Sequence, residues 1–409
     1  MRGPDLPTEA ARQSAAQGSW REVLGAFLKL GLTSFGGPIA HLGYFREECV
    51  VRRKWLDESA YADLVALCQF LPGPASSQVG FALGLMRGGA LGAAAAWVGF
   101  TLPSAIALAI FALGAAHAGG AVWHGLLHGL KLVAVAVVAQ AVWGMARTLC
   151  PDKQRATIAV AATAIVLLVP VSWAQVAAIA LGALAGVVVC RNSGAAPSGH
   201  LAPPVGRGVG IAALLLFFAL LLLLPVAALA VGNQALALFD AFYRAGALVF
   251  GGGHVVLPLL QVEVVGPGWI TDEAFLAGYG AAQAVPGPLF TFAAYLGAVA
   301  EPAPNGWAGA AICLIAVFLP GLLLVVGALP FWESFRRHPR AQAALRGTNA
   351  AVVGLLGAAL YQPVWTTTIR APADFGLALA AFVLLMAWKA PPWVVVVFAA
   401  LGGLGQALV

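Results

Sequence analysis

Charge is what this sequence has least of. Only 9% of its 409 residues are Asp, Glu, Lys or Arg, against 61% hydrophobic, and the mean hydropathy is +0.91. A chain so short of charge cannot clothe a water-facing surface, which excludes an ordinary soluble globular protein. Cysteine is sparse as well. Cys49, Cys68, Cys150, Cys190 and Cys313 show no CxxC spacing and no disulfide framework, and they read as packing residues. There is no P-loop, no G-x-S-x-G elbow and no pair of catalytic carboxylates, so neither an enzyme, ATP hydrolysis nor a cofactor is expected. His124 and His128 stand four apart on a helix without the third ligand or general-base Glu of HExxH, which gives no metal site; His41 has no assigned role. Residues 1–20 are polar, carry Pro4 and Pro7, and lack the apolar core of a secretory signal. The net charge of +6 lies in short loops, where membrane topology explains it without nucleic acid.

What the chain has instead is long apolar runs of helical rather than alternating pattern, which argue for membrane helices and against a β-barrel. They fall at roughly 22–45, 58–85, 88–116, 121–147, 154–170, 173–190, 208–232, 236–262, 273–300, 306–330, 341–362, 373–388 and 391–408. The expected fold is an all-α polytopic membrane protein. A Gly-, Pro- and Ser-rich stretch, 191–208, divides it. The expected organisation is a cytoplasmic tail (1–20), a first repeat (21–190), a linker with a connecting helix (191–235) and a second repeat (236–409).

The repeat is legible in four motif pairs. "TSFGGP" at 33–38 answers "LVFGGG" at 248–253, "WLDESAY" at 55–61 answers "WITDEAF" at 269–275, "QFLPGP" at 69–74 answers "QAVPGP" at 283–288, and "FTLP" at 100–103 answers "VFLP" at 317–320. The offset stays between 214 and 217, which marks a duplication. One extra segment, 208–232, separates the halves, so the second starts on the opposite face and the repeats are inverted. If every segment crossed, Arg46, Arg52, Arg53 and Lys54 would lie outside, against the positive-inside tendency. Re-entrant hairpins at 22–45, 58–85, 236–262 and 273–300 would return that basic loop to the cytoplasm and put the acidic loop 261–273 outside.

Two of the four motif pairs, the Gly-Gly-Pro and the Pro-Gly-Pro pair, also break helices. Proline removes a backbone donor and clashes with the preceding turn, but it suits the first position of a new helix. Gly37-Pro38, Gly73-Pro74 and Gly287-Pro288 are such restarts, with Gly251-Gly252-Gly253 as the fourth. A helix start carries free amides and about half a positive charge, so four of them aimed at one point would suit a small dianion at about two charges. Kinks that serve only packing are the plainer alternative. The polar residues at the breaks complete the candidate anion site: Ser34 beside Gly36 and Gly37, the paired Gln69 and Gln283, and Ser76, Ser77 and Thr291 in the following turns. Lys131 and Arg346, offset by 215, are candidate intramembrane counter-charges, with Asn349 one turn beyond; snorkelling near helix ends is their alternative. Glu48 and Glu263 correspond likewise and could carry a coupling proton, or be exposed loop charge.

The motif "FGGPIAHLGYFREECVVRRKWLDESAYADLVALCQFLPGP" and its echo "FGGGHVVLPLLQVEVVGPGWITDEAFLAGYGAAQAVPGP" resemble the chromate ion transporter family in its long, two-half form, over the chain from about residue 20 to its end. The resemblance implies efflux of chromate across the bacterial inner membrane, giving chromate resistance, with sulfate as the chemically similar oxyanion. It attaches this role to Phe35, Gly36, Gly37, Pro38, Trp55, Pro72, Gly73 and Pro74, and to Phe250, Gly251, Gly252, Gly253, Trp269, Pro286, Gly287 and Pro288. A general sulfate or oxyanion carrier and a passive anion channel are the rival readings, with a lipid-processing enzyme last. Gly- and Ala-rich helix surfaces permit a homodimer without specifying one.

Overall fold

The computed structural model describes residues 18–115, 120–169, 173–190, 204–335 and 338–408, and among them it contains helices and no strands. In the first half, α1 (Trp20–Thr33) and α2 (Gly37–Phe45) are followed by a π-helical turn, Arg46–Arg52. Next come α3 (Glu58–Phe70), α4 (Ala75–Ala115), α5 (Ala121–Leu149), α6 (Lys153–Leu168) and α7 (Ala174–Val189). The connecting helix is α8 (Arg207–Val231). The second half repeats the order with α9 (Gln234–Ala247), α10 (Val256–Val264), α11 (Asp272–Ala282), α12 (Phe292–Val299), α13 (Gly306–Ala328), α14 (Pro339–Ala359), α15 (Pro372–Met386) and α16 (Pro392–Leu408).

The shared tryptophan motif is a helix start in both halves. Asp57 accepts from the Ala60 N–H at 2.8 Å to cap α3, and Thr271 accepts from the Ala274 N–H at 3.2 Å to cap α11. The Gly88-Gly89 pair bends α4 into arms at 75–87 and 90–115, where the second half places the turn between α12 and α13.

The four interrupted segments fold back on themselves. Continued straight, residues nineteen apart would lie about 28 Å apart. Instead Lys29 Nζ is 3.1 Å from Glu48 Oε2, and Arg244 Nη1 is 2.8 Å from Glu263 Oε1, so α1–α2 and α9–α10 are hairpins. The second hairpin of each half closes the same way. Arg87, at the end of the first α4 arm, lies over the ring of Trp55, just before α3, 5.7 Å from its centroid, and the Glu301 N–H donates to the Trp269 carbonyl at 3.0 Å. Among the described residues five helices are long and apolar enough to cross, beginning at Ala75, Val122, Arg207, Gly306 and Pro339, and of these only the first arm of α4 belongs to a hairpin.

The halves then exchange partners. The α5 helix of the first half packs on α15 and α16 of the second, while α14 packs on α6 and α7 of the first. Small residues permit both crossings. Gly125 and Gly129 lie against the backbone of Ala399 and Gly403, and Gly347 lies against that of Gly182 and Gly186. With no hydrophobic drive between helices in lipid, this close approach supplies the dispersion contacts that hold the bundle together. A two-fold relation that swaps the halves accounts for the symmetry of the exchange.

Candidate anion site at the helix breaks

The four breaks meet, and they meet reciprocally. The Gly73 N–H donates to the Val249 carbonyl at 2.7 Å, and the Gly287 N–H donates to the Ser34 carbonyl at 2.9 Å. These are the same bond twice, since 249 and 34, and 287 and 73, are repeat partners. A Cβ on Gly253 would lie 3.5 Å from Pro38 and 4.0 Å from Leu289, which closes the ring of tips.

Glycine is required at these joints. Gly73 (φ +119°) and Gly287 (φ +100°) occupy the left-handed region, where a side chain costs about 1–2 kcal/mol. Space is short as well: a Cβ would stand 3.0 Å from the Gly321 Cα at the first and 2.9 Å from the Ser104 Oγ at the second.

Around the tips lie two different environments. One is a cavity of about 280 Å³ whose lining includes Gly36, Gly37, Gln140, His254, Gln283 and Lys389. It has room for a small oxyanion and several waters, at roughly 30 Å³ each. Gln283 is unpartnered at Nε2, and His254 Nδ1 lies 2.6 Å from the Tyr279 hydroxyl. The other environment, behind Gly287, is sealed. Ser34, His41 and Ser76 are at most 3% exposed; His41 Nδ1 lies 3.4 Å from Ser76 Oγ, and both His41 Nε2 and Ser34 Oγ have no partner. Ser77 Oγ, in the first turn of α4, is buried and unpartnered too.

The structure draws some candidates together and sets others apart. Asn349 Oδ1, unpartnered, is 3.5 Å from where a Gly251 Cβ would be, so α14 does reach the tips. Thr291 spends its hydroxyl on the Pro288 carbonyl at 2.8 Å. The paired glutamines separate: Gln283 lines the cavity, whereas Gln69 is exposed at the end of α3. Arg346 reaches the Cys190 carbonyl at 2.8 Å, satisfying the end of α7. Lys131 is half-buried, with Glu273, Arg370 and Asp374 as its charged surroundings. His128 Nε2 is 2.7 Å from Asp374 Oδ1, and no group of three metal-ligating side chains occurs among the described residues.

Glu48, in the π-helical turn, and Glu263, at the end of α10, stand at the hairpin bases rather than at the tips, outside the long candidate spans. For Glu48, burial pushes the carboxyl up, but Arg53 and Lys29 more than offset it and hold it below its ordinary 4.5. For Glu263, burial dominates and, with Asp240 nearby, keeps the carboxyl above 4.5 despite Arg244.

Sequence reading alone missed Gln140 and Lys389, both far in the chain from the breaks, His254, which directly follows Gly253, and also Asp240. Lys389 sits in the turn between α15 and α16 at φ +53°, beside a Pro-Pro pair that marks the turn without revealing what faces it.

Comparison with known proteins agrees with this duplication. The sequence profile of the chromate transporter family matches twice, at residues 21–187 and 236–404. The chain is 30% identical to the chromate transport protein of Pseudomonas aeruginosa, over 98% of this chain and 95% of that one. It is 29% identical to a probable chromate transport protein of Synechococcus elongatus, over 94% and 95%, and 27% identical to the chromate transport protein of Cupriavidus metallidurans, over 94% and 92%. No solved structure matches the chain significantly. With a duplicated profile across most of its length and a helical bundle of apolar spans to carry it, the chain belongs to the chromate transporter family in its long form, and is a multi-pass membrane transporter rather than an enzyme.

Proposed function

We propose that this protein is a secondary transporter of the bacterial inner membrane that exports chromate from the cytoplasm, and so confers chromate resistance, with the dianion held among the four helix restarts near mid-membrane. The observation that carries the reading is the reciprocal pair of bonds, Gly73 to Val249 and Gly287 to Ser34, which gathers four helix starts beside one polar cavity. In this reading the first-turn amides after Gly37, Gly73, Gly253 and Gly287 supply positive potential, while Gln140, Gln283 and Lys389 supply donors. Ser34, Ser76, Ser77, Gly36, Gly251, Gly252 and Asn349 border the path into the sealed side. Irregular backbone at this depth is tolerable because protein and a polar chamber surround it.

Alternating access follows from the duplication. If the halves, 21–190 and 236–409, exchange conformations, the open cavity and the sealed pocket exchange roles, and the dianion passes between them. Chromate and sulfate both offer four acceptor oxygens and two charges, so the site would compete between them. The test is labelled chromate uptake into inverted membrane vesicles under an imposed proton gradient, with and without excess sulfate. Gradient-dependent uptake reduced by sulfate is expected; flux indifferent to the gradient would identify a passive channel, and no chromate flux would end the reading.

A further inference from the structure

The two hairpin bases are built on the same plan and wired oppositely. At the first, the carboxylate Glu48 is surrounded by cations: Arg53 at 2.8 Å, Lys29 at 3.1 Å and Arg52 at 3.8 Å. At the second, the repeat partners of Lys29 and Glu48 are Arg244 and Glu263, joined through two bonds of 2.8 Å. The counterparts of Arg52 and Arg53, by the offset of 215, are Pro267 and Gly268, so both extra cations are gone. In their place is an added acid. Asp240 stands where the first half has Gly25, and its Oδ2 accepts from Arg244 Nε at 3.0 Å. Its side chain is 7% exposed, and Oδ1 has no hydrogen-bond partner.

One guanidinium therefore serves two carboxylates, and one carboxylate oxygen lies buried without a donor. A buried acceptor with no donor is costly, and two like charges around one cation resist joint ionisation. A proton on Asp240 removes the second negative charge and leaves a neutral carboxyl, which costs less to bury than a bare carboxylate. A metal cation fits less well, because Arg244 already fills the space between the carboxylates. The packed neighbours supply no competing charge: Tyr243 gives its hydroxyl to the Phe217 carbonyl on α8, α13 presents only Cys313 among titratable groups, and on α10 Gln261 is turned to Asp272.

We infer that Asp240, with Glu263 and Arg244, forms the exchangeable proton site of the transporter, loaded from the face opposite the basic first-half loop. This rests on the transport reading above. The site lies on α9, whose tip carries the Val249 carbonyl that holds Gly73, so a proton that loosens Arg244 from Asp240 acts on the hairpin forming one wall of the anion site. The proton joins the carboxylate to give a carboxylic acid, and it leaves as chromate exchanges; nothing is oxidised or reduced.

The test uses the full chain in proteoliposomes and two fluxes. Chromate–chromate exchange needs no net proton, whereas accumulation driven by a pH gradient does. Asp240→Asn should keep exchange within about twofold, which is a small change on the RT scale, and lose at least about tenfold of gradient-driven accumulation, or 1.4 kcal/mol of coupling. Asp240→Glu should restore the latter. Infrared difference spectra across a pH titration should show a protonated carboxyl band in the parent protein that is absent in Asp240→Asn, and this readout does not depend on transport. Retained gradient-driven accumulation in Asp240→Asn, or an unchanged carboxyl band, would overturn the assignment. Absence of chromate exchange in the parent protein would instead defeat the transport reading, leaving the infrared band to decide the proton site.

Discussion

The first and second halves share an ancestor motif by motif, yet they divide the work. At the tips, the first half restarts its helices directly as α2 and α4 and buries Ser34, His41 and Ser77 with unsatisfied atoms. The second half restarts through 3₁₀ turns, Gly253–Val255 and Leu289–Thr291, and lends His254 and Gln283 to the open cavity. At the bases the contrast is in charge: Glu48 is held by three cations, of which Arg52 also pairs with Glu47 and Arg53 with Glu22, whereas a single arginine serves both Glu263 and Asp240. Duplication gives each half the same backbone scaffold, and single substitutions on it, such as Gly25 against Asp240, assign different chemistry to equivalent places. An inverted pair need not be functionally symmetric even where its hydrogen bonds are.

That contrast can be broken experimentally, and the largest effect is expected at the bases. Arg244→Met leaves the buried Asp240 and the half-buried Glu263 without a counter-charge, and should destabilise the protein by about 3 kcal/mol, seen as a collapse of thermal stability in detergent. Lys29→Met, at the matching position, leaves Glu48 with Arg52 and Arg53 and should cost no more than about 1 kcal/mol. Equal losses would refute the difference in wiring.

At the tips, Gly73→Ala and Gly287→Ala should each lower chromate flux at least about tenfold at normal expression, because a left-handed residue costs about 1–2 kcal/mol before any clash is counted. Gly25→Ala, which meets nothing within 4 Å, is the control. Full flux in both tip variants would reduce the breaks to packing features.

Among polar side chains, Gln283→Ala should raise the apparent KM for chromate several-fold, through loss of about 1 kcal/mol of hydrogen bonding, while Gln69→Ala should not. Equivalent effects would restore the symmetric pair that the sequence suggested. The smallest effect is in pH dependence. Because Glu48 titrates below 4.5 in the fold, it contributes stability at neutral pH that is lost as pH falls through its lowered pKa. Glu263, raised above 4.5, contributes stability only at low pH and loses it as pH rises through its folded value. Melting temperatures of Glu48→Gln and Glu263→Gln against pH should therefore diverge from the parent in opposite directions.

Much of the architecture was legible in the sequence, and the reason is the solvent. In a bilayer every backbone group must be satisfied locally, so helix-length apolar runs mark spans and Gly-Pro pairs mark breaks. The thirteen runs correspond to the elements seen, with 22–45 resolving into α1 and α2, and 236–262 into α9 and α10. The candidate site was legible only where the motif itself supplies the chemistry. Gly36, Gly37, Gly73, Gly251 and Gly287 are at the tips because their conformation is local, whereas Gln69 shares a repeat register with Gln283 yet is exposed, and Arg346 is turned to the end of α7.

The sequence by itself determined the duplication, the membrane as solvent and the positions of the four helix restarts, since each depends on residue type and spacing along one segment. Only the tertiary structure decided that each restart bonds to the opposite half, that α5 and α14 are exchanged between halves, that Lys389 and Gln140 face the cavity, and that Asp240 shares an arginine with Glu263. Those are contacts between segments far apart in the chain. Which side chain fills a space between helices depends on the partner surface, and no single segment encodes that surface.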